Sequence, residues 1–198
     1  SLRRQRQMCI RDSTKTILTT LKQANVKAIF FEVGEHVQAH PELSKLVASE
    51  GHSLGGHSMT HSCLGNKVIC QNQNKGHLFT TEEAIAEISG SLNAIKKAVG
   101  WVDPFFRFPF GESSPALKEY LKSIGVGEFY WSVDSEDWKA GKTPQKVIED
   151  VMAQLKQDGR GVILFHDIQR STAEALPELL NQLYNCLLYT SDAADEGL

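Results

Sequence analysis

A repeated alternation between short apolar runs and longer amphipathic segments constrains the fold of this chain more than any other feature. Val26–Phe31 and Val162–Phe165 are typical of buried strands, and the segments between such runs carry apolar residues at helical spacing. Strands that alternate with helices favour a parallel sheet with helical crossovers. The sequence therefore predicts an α/β fold, either a barrel or a doubly wound sheet.

Proline and capping residues mark where several of these helices begin. Pro41, Pro115 and Pro144 each fit the first turn of a helix, and Thr80 with Glu83 has the spacing of a capping box. An apolar stripe follows each signal, as in a helix that packs on a sheet through one face. Further strands are predicted at Gly51–Gly56, Phe105–Phe108 and Phe129–Val133.

Length and composition indicate one globular domain. The chain has 198 residues, of which 41% are hydrophobic and 23% charged, and this suffices for one substantial core. The net charge of −3 gives no reason to expect nucleic acid or an anionic membrane as a partner. No apolar run reaches the length of a transmembrane segment.

The two ends of the chain differ in composition from the rest. Residues 1–13 are polar and basic, and residues 186–198 end in small and acidic residues. Both segments resemble peptides translated from sequencing-adapter DNA, so we expect non-native tails there and a native domain at residues 14–185. A targeting segment would be missing from such a chain, and its compartment is therefore left open.

Two cysteines of this domain, Cys63 and Cys70, lie in a predicted loop at residues 62–77. Their separation allows a small disulfide-closed loop, which would fit an exported protein, or two free thiols, which would fit a cytosolic one. A cysteine zinc site is not predicted, because no second cysteine pair accompanies them.

The stretch GGHSMTH at residues 55–61 is the first candidate for chemistry. His57 and His61 are four residues apart, and in a helical turn they would lie on one face and converge on one cation. Gly55 and Gly56 would let the backbone bend from a strand into that turn. The competing interpretation is a pair of solvated histidines without function.

Three further strand ends carry polar side chains, namely Arg107, the pair Asp134 and Asp137, and His166. Parallel strands place their carboxyl ends at one edge, so we expect these side chains to meet the two histidines on one rim. A cation, a base, an acid and groups that orient them are what metal-assisted hydrolysis requires. Turn, cap or core roles are the alternative for each residue alone.

The order and the residue patterns of these motifs resemble those of the polysaccharide deacetylases, the NodB-homology domain of carbohydrate esterase family four. The family's histidine motif matches residues 57–61, and its Arg-x-Pro-aromatic-Gly motif matches residues 107–111. Its Asp-x-x-Asp-Trp motif matches residues 134–138, and its Leu-x-His-Asp motif matches residues 164–167. The resemblance implies a distorted (β/α) barrel that removes N-acetyl or O-acetyl groups from a polysaccharide.

The resemblance also implies how the reaction would be assisted. His57 and His61 would bind a divalent metal, most often zinc. The backbone N–H of Phe110 would help to hold the oxyanion of the tetrahedral intermediate, and Arg107 would orient the catalytic base.

The acid and the substrate pocket are implied in the same way. His166 would be the general acid, tuned by Asp137. Leu164 and Trp138 would line the apolar pocket for the acetyl methyl group. Secretion or a place in the cell envelope is common in the family.

One family motif is missing from the chain. The Thr-Phe-Asp-Asp motif supplies the base and the third metal ligand, and it belongs about one strand upstream of the helix at Thr14, where residues 1–13 stand instead. Asp12 has a different sequence context. We therefore expect a deacetylase domain that lacks its first strand and is inactive in this form.

Two other interpretations are open at this point. A carbohydrate-binding pseudoenzyme would natively lack the base, and another metal-dependent α/β hydrolase would act on a small amide. The glycan is open too, because peptidoglycan, chitin oligomers and acetylated xylan all fit. The loop at residues 62–77 is expected to influence that choice.

Overall fold

The computed structural model describes residues 2–65 and 67–186, so residues 187–198 of the tail predicted at residues 186–198 lie outside the described residues. The predicted alternation is confirmed, and the strands of the described chain pair in parallel. The helices are α1 (Leu2–Gln23), α2 (Gly34–Ala39), α3 (Pro41–Ser49), α4 (Val68–Gln73), α5 (Thr81–Val99), α6 (Pro115–Ser123), α7 (Pro144–Asp158) and α8 (Arg170–Cys186). The strands are β1 (Ile29–Glu32), β2 (Ser53–Gly56), β3 (Phe105–Phe106), β4 (Gly127–Glu128), β5 (Val133–Asp134) and β6 (Ile163–Leu164).

The chain divides into two compact units. The first, here called the central unit, comprises residues 27–130 and contains a sheet of order β1-β2-β3-β4. The second, here called the terminal unit, combines residues 2–26 with residues 131–186 and contains the pair β5-β6. None of the helices in the described part of the chain is long and apolar enough to cross a membrane.

Strand β2 corrects the role expected of its two glycines. Gly55 and Gly56 lie within the strand and pair with Phe31 and Glu32 of β1, so they do not bend the chain into a turn. A Cβ atom on Gly55 would lie 2.8 Å from the Phe31 ring and 2.9 Å from the carbonyl oxygen of Phe105. These positions therefore require glycine because neighbouring groups pack directly against the backbone.

Helix α5 shows how the local sequence sets helix ends. The side chain of Thr80 accepts a hydrogen bond from the Glu83 N–H, and the Glu83 carboxylate accepts one from the Thr80 N–H, which confirms the capping box. Gly100 ends the helix in the left-handed conformation. The buried face of α5 includes Ile88 and Ile95 and covers the central sheet.

In the terminal unit, helix α7 buries its whole predicted stripe against α8. That stripe consists of Val147, Ile148, Val151, Met152 and Leu155. Helix α1 packs on α8 as well, and Ile17, Leu18 and Leu21 are buried as predicted. Residues 2–13 continue the same helix, and the expectation that they are a non-native tail stays a prediction.

Two segments differ from the sequence prediction. The strand predicted at Phe129–Val133 is absent from the described residues as one unit, because β4 ends at Glu128 in the central unit and β5 begins at Val133 in the terminal unit. The loop predicted at residues 62–77 contains the short helix α4 and a disulfide between Cys63 and Cys70. The open question of these two cysteines is thereby answered.

Candidate active site

The two histidines of the central unit lie in a loop after β2, so the predicted helical turn is wrong. Ser58 and His61 both adopt left-handed backbone conformations, with φ of 58° and 60°. These two bends redirect the chain so that the rings of His57 and His61 still approach each other, with centroids 5.0 Å apart and planes at 70°. The predicted juxtaposition is therefore present, although its backbone basis differs.

The first turn of helix α2 holds the middle of this loop. The N–H groups of Gly34 and Glu35 donate to the carbonyl oxygens of Ser58 and Met59 at 3.0 and 2.9 Å. The first N–H groups of a helix have no partner within the helix and carry a partial positive charge. They therefore suit the carbonyl oxygens of a loop that must keep an irregular conformation.

Glu87 of helix α5 holds the end of the same loop. One oxygen of its carboxylate accepts from the backbone N–H of Thr60 at 2.8 Å and from the Thr60 hydroxyl at 3.0 Å. Sequence reasoning missed this residue, because its partner lies 27 positions away and no motif links the two. Glu87 is a positioning residue of the histidine loop.

The ring of His57 is oriented by the neighbouring strand. Gly56 pairs with Phe106 in the parallel β2-β3 ladder, so His57 and Arg107 leave the sheet side by side. His57 Nδ1 lies 2.6 Å from the carbonyl oxygen of Arg107. Because a carbonyl can only accept, the proton is on Nδ1 and the lone pair of the neutral ring is on Nε2. Metal-binding histidines in proteins commonly have this arrangement.

The guanidinium group of Arg107 lies over the ring of Phe31, with Cζ 4.9 Å from the ring centroid. Such a contact orients a planar cation through the negative face of the ring. Its predicted role toward a catalytic base stays a prediction.

Phe110 has the most unusual backbone of the site. It adopts φ of 59° and ψ of 8° inside a tight 3-10 turn. The residue is 39% exposed, and its ring packs edge-on against that of His61, with the ring centroids 5.1 Å apart. The left-handed region is costly for a bulky side chain and often marks a functional position. The N–H groups of Gly111 and Glu112 close the turn, whereas the Phe110 N–H donates to no acceptor among the described residues.

In the terminal unit, Asp137 and His166 form a close pair. They follow the parallel strands β5 and β6, whose ends lie at the same edge. The carboxylate accepts from His166 Nδ1 and from the His166 backbone N–H, both at 2.7 Å. It also accepts from the hydroxyl of Thr172 at 2.5 Å. Thr172, on α8, has no recognisable signal in the sequence motifs.

The electrostatics of this pair favour an ionised carboxylate. Burial by itself raises the pKa of Asp137, but the hydrogen bonds from His166 and Thr172 outweigh it and hold the pKa below its usual value. The carboxylate also fixes a proton on His166 Nδ1 and orients the ring.

The segment between Asp134 and Trp138 has an irregular backbone that includes a hydrogen bond to the Asp134 carboxylate. Glu136 adopts φ of 54°, and its N–H donates to the Asp134 carboxylate at 2.8 Å. Trp138 is 54% exposed with the Lys139 ammonium 5.6 Å from its ring centroid, and Leu164 is buried. The roles of Trp138 and Leu164 in an acetyl pocket stay predictions.

The structure thus brings together two sets of predicted site residues. His57, His61, Arg107 and Phe110 form one set in the central unit, and Asp137 with His166 forms the other in the terminal unit. Convergence of both sets on one rim stays a prediction. Among the described residues, no group of three or more histidine, cysteine, aspartate or glutamate side chains is arranged to hold a metal ion.

Comparison with known proteins identifies relatives of the same kind as the motifs indicated. The sequence profile of a family described as polysaccharide deacetylase matches residues 7–129. A peptidoglycan-N-acetylglucosamine deacetylase, PgdA of Listeria monocytogenes, is 34% identical over 173 residues, which are 86% of this chain and 33% of that protein. A peptidoglycan-N-acetylmuramic acid deacetylase, PdaC of Bacillus subtilis, is 32% identical over 171 residues, again 86% of this chain and 33% of that protein. The chain thus spans about a third of the length of these two relatives.

A solved structure agrees in fold. A peptidoglycan deacetylase of Bdellovibrio bacteriovorus superposes with a TM-score of 0.75 at 42% identity, covering 87% of this chain and 45% of that chain. This likeness confirms the predicted α/β fold class.

Proposed function

The chain belongs to the polysaccharide deacetylase family, and from that premise we propose that its domain is part of a metal-dependent hydrolase that removes N-acetyl groups, or O-acetyl groups, from a polysaccharide. Peptidoglycan is the glycan we favour, because PgdA, PdaC and the solved structure are all named for peptidoglycan deacetylation. The observation that carries the proposal is the His57–Arg107 hydrogen bond, which prepares one imidazole of a close histidine pair for a cation.

The histidine pair fits a divalent metal, with zinc as the best match. Imidazole nitrogens are common zinc ligands, and a backbone carbonyl that fixes the other ring nitrogen strengthens such a ligand. His57 and His61 would hold the ion. When bound, the metal supplies water activation and polarisation of the acetyl carbonyl.

The turn at Phe110 suits the oxyanion of the tetrahedral intermediate. Its N–H is not used to close the turn, and the left-handed backbone sets the direction of that N–H before substrate binds. A donor positioned in advance stabilises developing negative charge without reorganisation.

The Asp137–His166 pair suits proton delivery to the leaving amine. With a proton fixed on Nδ1 by Asp137, a second proton on His166 Nε2 is the one available for transfer to the departing nitrogen. Arg107 would orient the base, and Trp138 and Leu164 would accommodate the acetyl methyl group.

No candidate for the base is identified among the residues that the structure describes. Asp12 is the single aspartate before His57 in the sequence, and it is exposed on helix α1. A metal held by His57 and His61 alone, without a carboxylate ligand, would be weakly bound. We propose that the chain in this form does not turn over substrate. A carbohydrate-binding pseudoenzyme is the alternative function.

Zinc titration and acetate release would test the proposal on two proteins, this chain and one extended by its upstream genomic sequence. The substrates would be peptidoglycan fragments and N-acetylated chito-oligosaccharides. We expect tight zinc binding and acetate release from the extended protein alone, and loss of both in its His57→Ala variant. His36→Ala, which alters an exposed histidine of α2, is the matched control.

The outcomes separate the candidates. An extended protein that carries an aspartate pair and still releases no acetate would contradict the deacetylase proposal. Glycan binding without cleavage, from an upstream sequence without that pair, would favour the pseudoenzyme.

A further inference from the structure

The disulfide of the central unit closes its loop directly after the second histidine. Cys63 lies two residues after His61, and its partner Cys70 lies on helix α4. Both cysteines are fully buried. We propose that the Cys63–Cys70 disulfide is a positioning element of the active site, which fixes His61 from one side and supports the Phe110 turn from the other. The proposal rests on the proposed function for the roles of those two residues.

A side-chain amide reinforces the disulfide at Cys63. The backbone N–H of Cys63 donates to Asn74 Oδ1 at 3.0 Å, and Asn74 Nδ2 donates to the Cys63 carbonyl at 2.7 Å. The backbone N–H of Asn74 donates in turn to the Cys70 carbonyl at 2.9 Å. The N–H and the carbonyl of Cys63 are therefore both hydrogen-bonded, and its side chain is joined to Cys70 by the disulfide.

His61 needs this support because its conformation is unfavourable by itself. A residue other than glycine in the left-handed region costs on the order of 1–3 kcal/mol and persists only where its surroundings impose it. On the amino-terminal side, Glu87 imposes the conformation through Thr60. On the carboxyl-terminal side, Cys63 is the first residue that is anchored through both its backbone and its side chain.

The closed loop also packs directly behind the Phe110 turn. A Cβ atom on Gly65 would lie 3.0 Å from Glu112 Cβ and 3.2 Å from the Glu112 carbonyl carbon. Lys67 extends the contact, with its ammonium 2.9 Å and 3.1 Å from the two carboxylate oxygens of Glu112. Glu112 closes the turn, since its N–H donates to the Pro109 carbonyl. A displaced loop would therefore release the turn that directs the Phe110 N–H.

Reduction of the disulfide would reverse this positioning. A dithiol reductant converts the bridge into two thiols and leaves as its own disulfide, with two electrons and two protons transferred. The loop could then move away from Glu112 and release His61. Groups that orient metal ligands typically change metal affinity by about 10–100-fold, and we expect a loss in this range.

The test compares the protein extended by its upstream genomic sequence with the Cys63→Ser/Cys70→Ser double variant of that extended protein, using zinc alone as the ligand. Zinc affinity would be measured by calorimetry, and hydrogen exchange would be followed at residues 57–65 and 108–112 without zinc. We expect a zinc affinity at least about 10-fold lower and faster exchange in both segments. Asn74→Ala, which leaves the cysteines intact, should produce a smaller change in the same direction. Gln71→Ala, an exposed change on the same helix α4, should produce none.

The proposal would be overturned if the double variant had the circular dichroism spectrum of the native fold and both its hydrogen-exchange rates and its zinc affinity were unchanged. If the double variant does not fold, Asn74→Ala decides in its place. If no protein binds zinc, the metal role of the histidines fails, and the exchange rates alone then decide whether the disulfide positions the two segments. The loop would thus act on metal binding in addition to the influence on glycan choice expected from the sequence.

Discussion

Replacing Asp137 by asparagine removes the charge of a buried carboxylate while keeping its size. Asp137 is 2% exposed, and its carboxylate accepts three hydrogen bonds, from His166 Nδ1, from the His166 N–H and from the Thr172 hydroxyl. An asparagine oxygen at the Oδ2 position can keep the latter two. Its NH₂ group then faces His166 Nδ1 and can donate only if the ring moves its proton to Nε2.

The magnitude follows from this count. One charge-assisted hydrogen bond is lost, and the two others become neutral. A hydrogen bond to a charged group contributes about 1.5–3 kcal/mol, so Asp137→Asn should lower the free energy of unfolding by about that amount at pH 7.

The pH dependence has a definite sign. The folded-state pKa of Asp137 lies below its unfolded value because the hydrogen bonds outweigh the effect of burial. The ionised carboxylate therefore stabilises the fold fully above the unfolded pKa of about 3.9, and this contribution is lost as the pH falls through the folded pKa. The difference between wild type and variant should be constant from neutral pH to about 5 and should decrease below about 3.9.

Urea denaturation followed by circular dichroism would measure both effects, and nitrogen-15 NMR of the ring would report the tautomer of His166. Asp158→Asn, an exposed change at the end of α7, is the matched control and should change stability by less than about 0.5 kcal/mol. Equal stability of Asp137→Asn and wild type at pH 7, with an unchanged tautomer, would refute the reasoning.

Three other predictions concern the central unit. Burial and the charge of Lys27 lower the pKa of His52, whose Nδ1 accepts the Ala28 N–H, so stability should decrease as the pH falls below about 6.5. The slope of unfolding free energy against pH in this range should be smaller in His52→Asn. Gly55→Ala should cost about 1–3 kcal/mol in urea denaturation, because its Cβ would overlap the Phe31 ring and the Phe105 carbonyl. Glu87→Ala should accelerate hydrogen exchange at residues 57–61, because Thr60 loses its acceptor.

Each of these has its own control or contrary result. Equal pH slopes in wild type and His52→Asn would show that His52 is not the titrating group. Gly127→Ala, where the nearest atom to a new Cβ is 3.6 Å away, should be tolerated, so an equal cost at both glycines would argue against the packing explanation. Exchange in Glu87→Ala that matches wild type would mean that Glu87 does not restrain the histidine loop.

Much of the secondary structure could be predicted because its signals act over a few residues. Thr80 and Glu83 cap α5 as expected, and Pro41, Pro115 and Pro144 each begin a helix. Strand ends were less predictable, since β3 and β4 have only two residues each and their pairing depends on distant partners. The prediction of one strand at Phe129–Val133 was wrong, because the apolar pattern of the sequence does not indicate where the chain passes from the central unit to the terminal unit.

The candidate site shows the same division. Sequence motifs alone identified His57, His61, Arg107 and His166 as candidates, because the types and order of such residues are written in the chain. Tertiary structure decided how they act: the carbonyl of Arg107 sets the tautomer of His57 across a pair of parallel strands, and Glu87 restrains the histidine loop. It also decided that Cys63 and Cys70 are joined. Loop conformation and protonation depend on groups that are distant in sequence and become neighbours only when the chain folds.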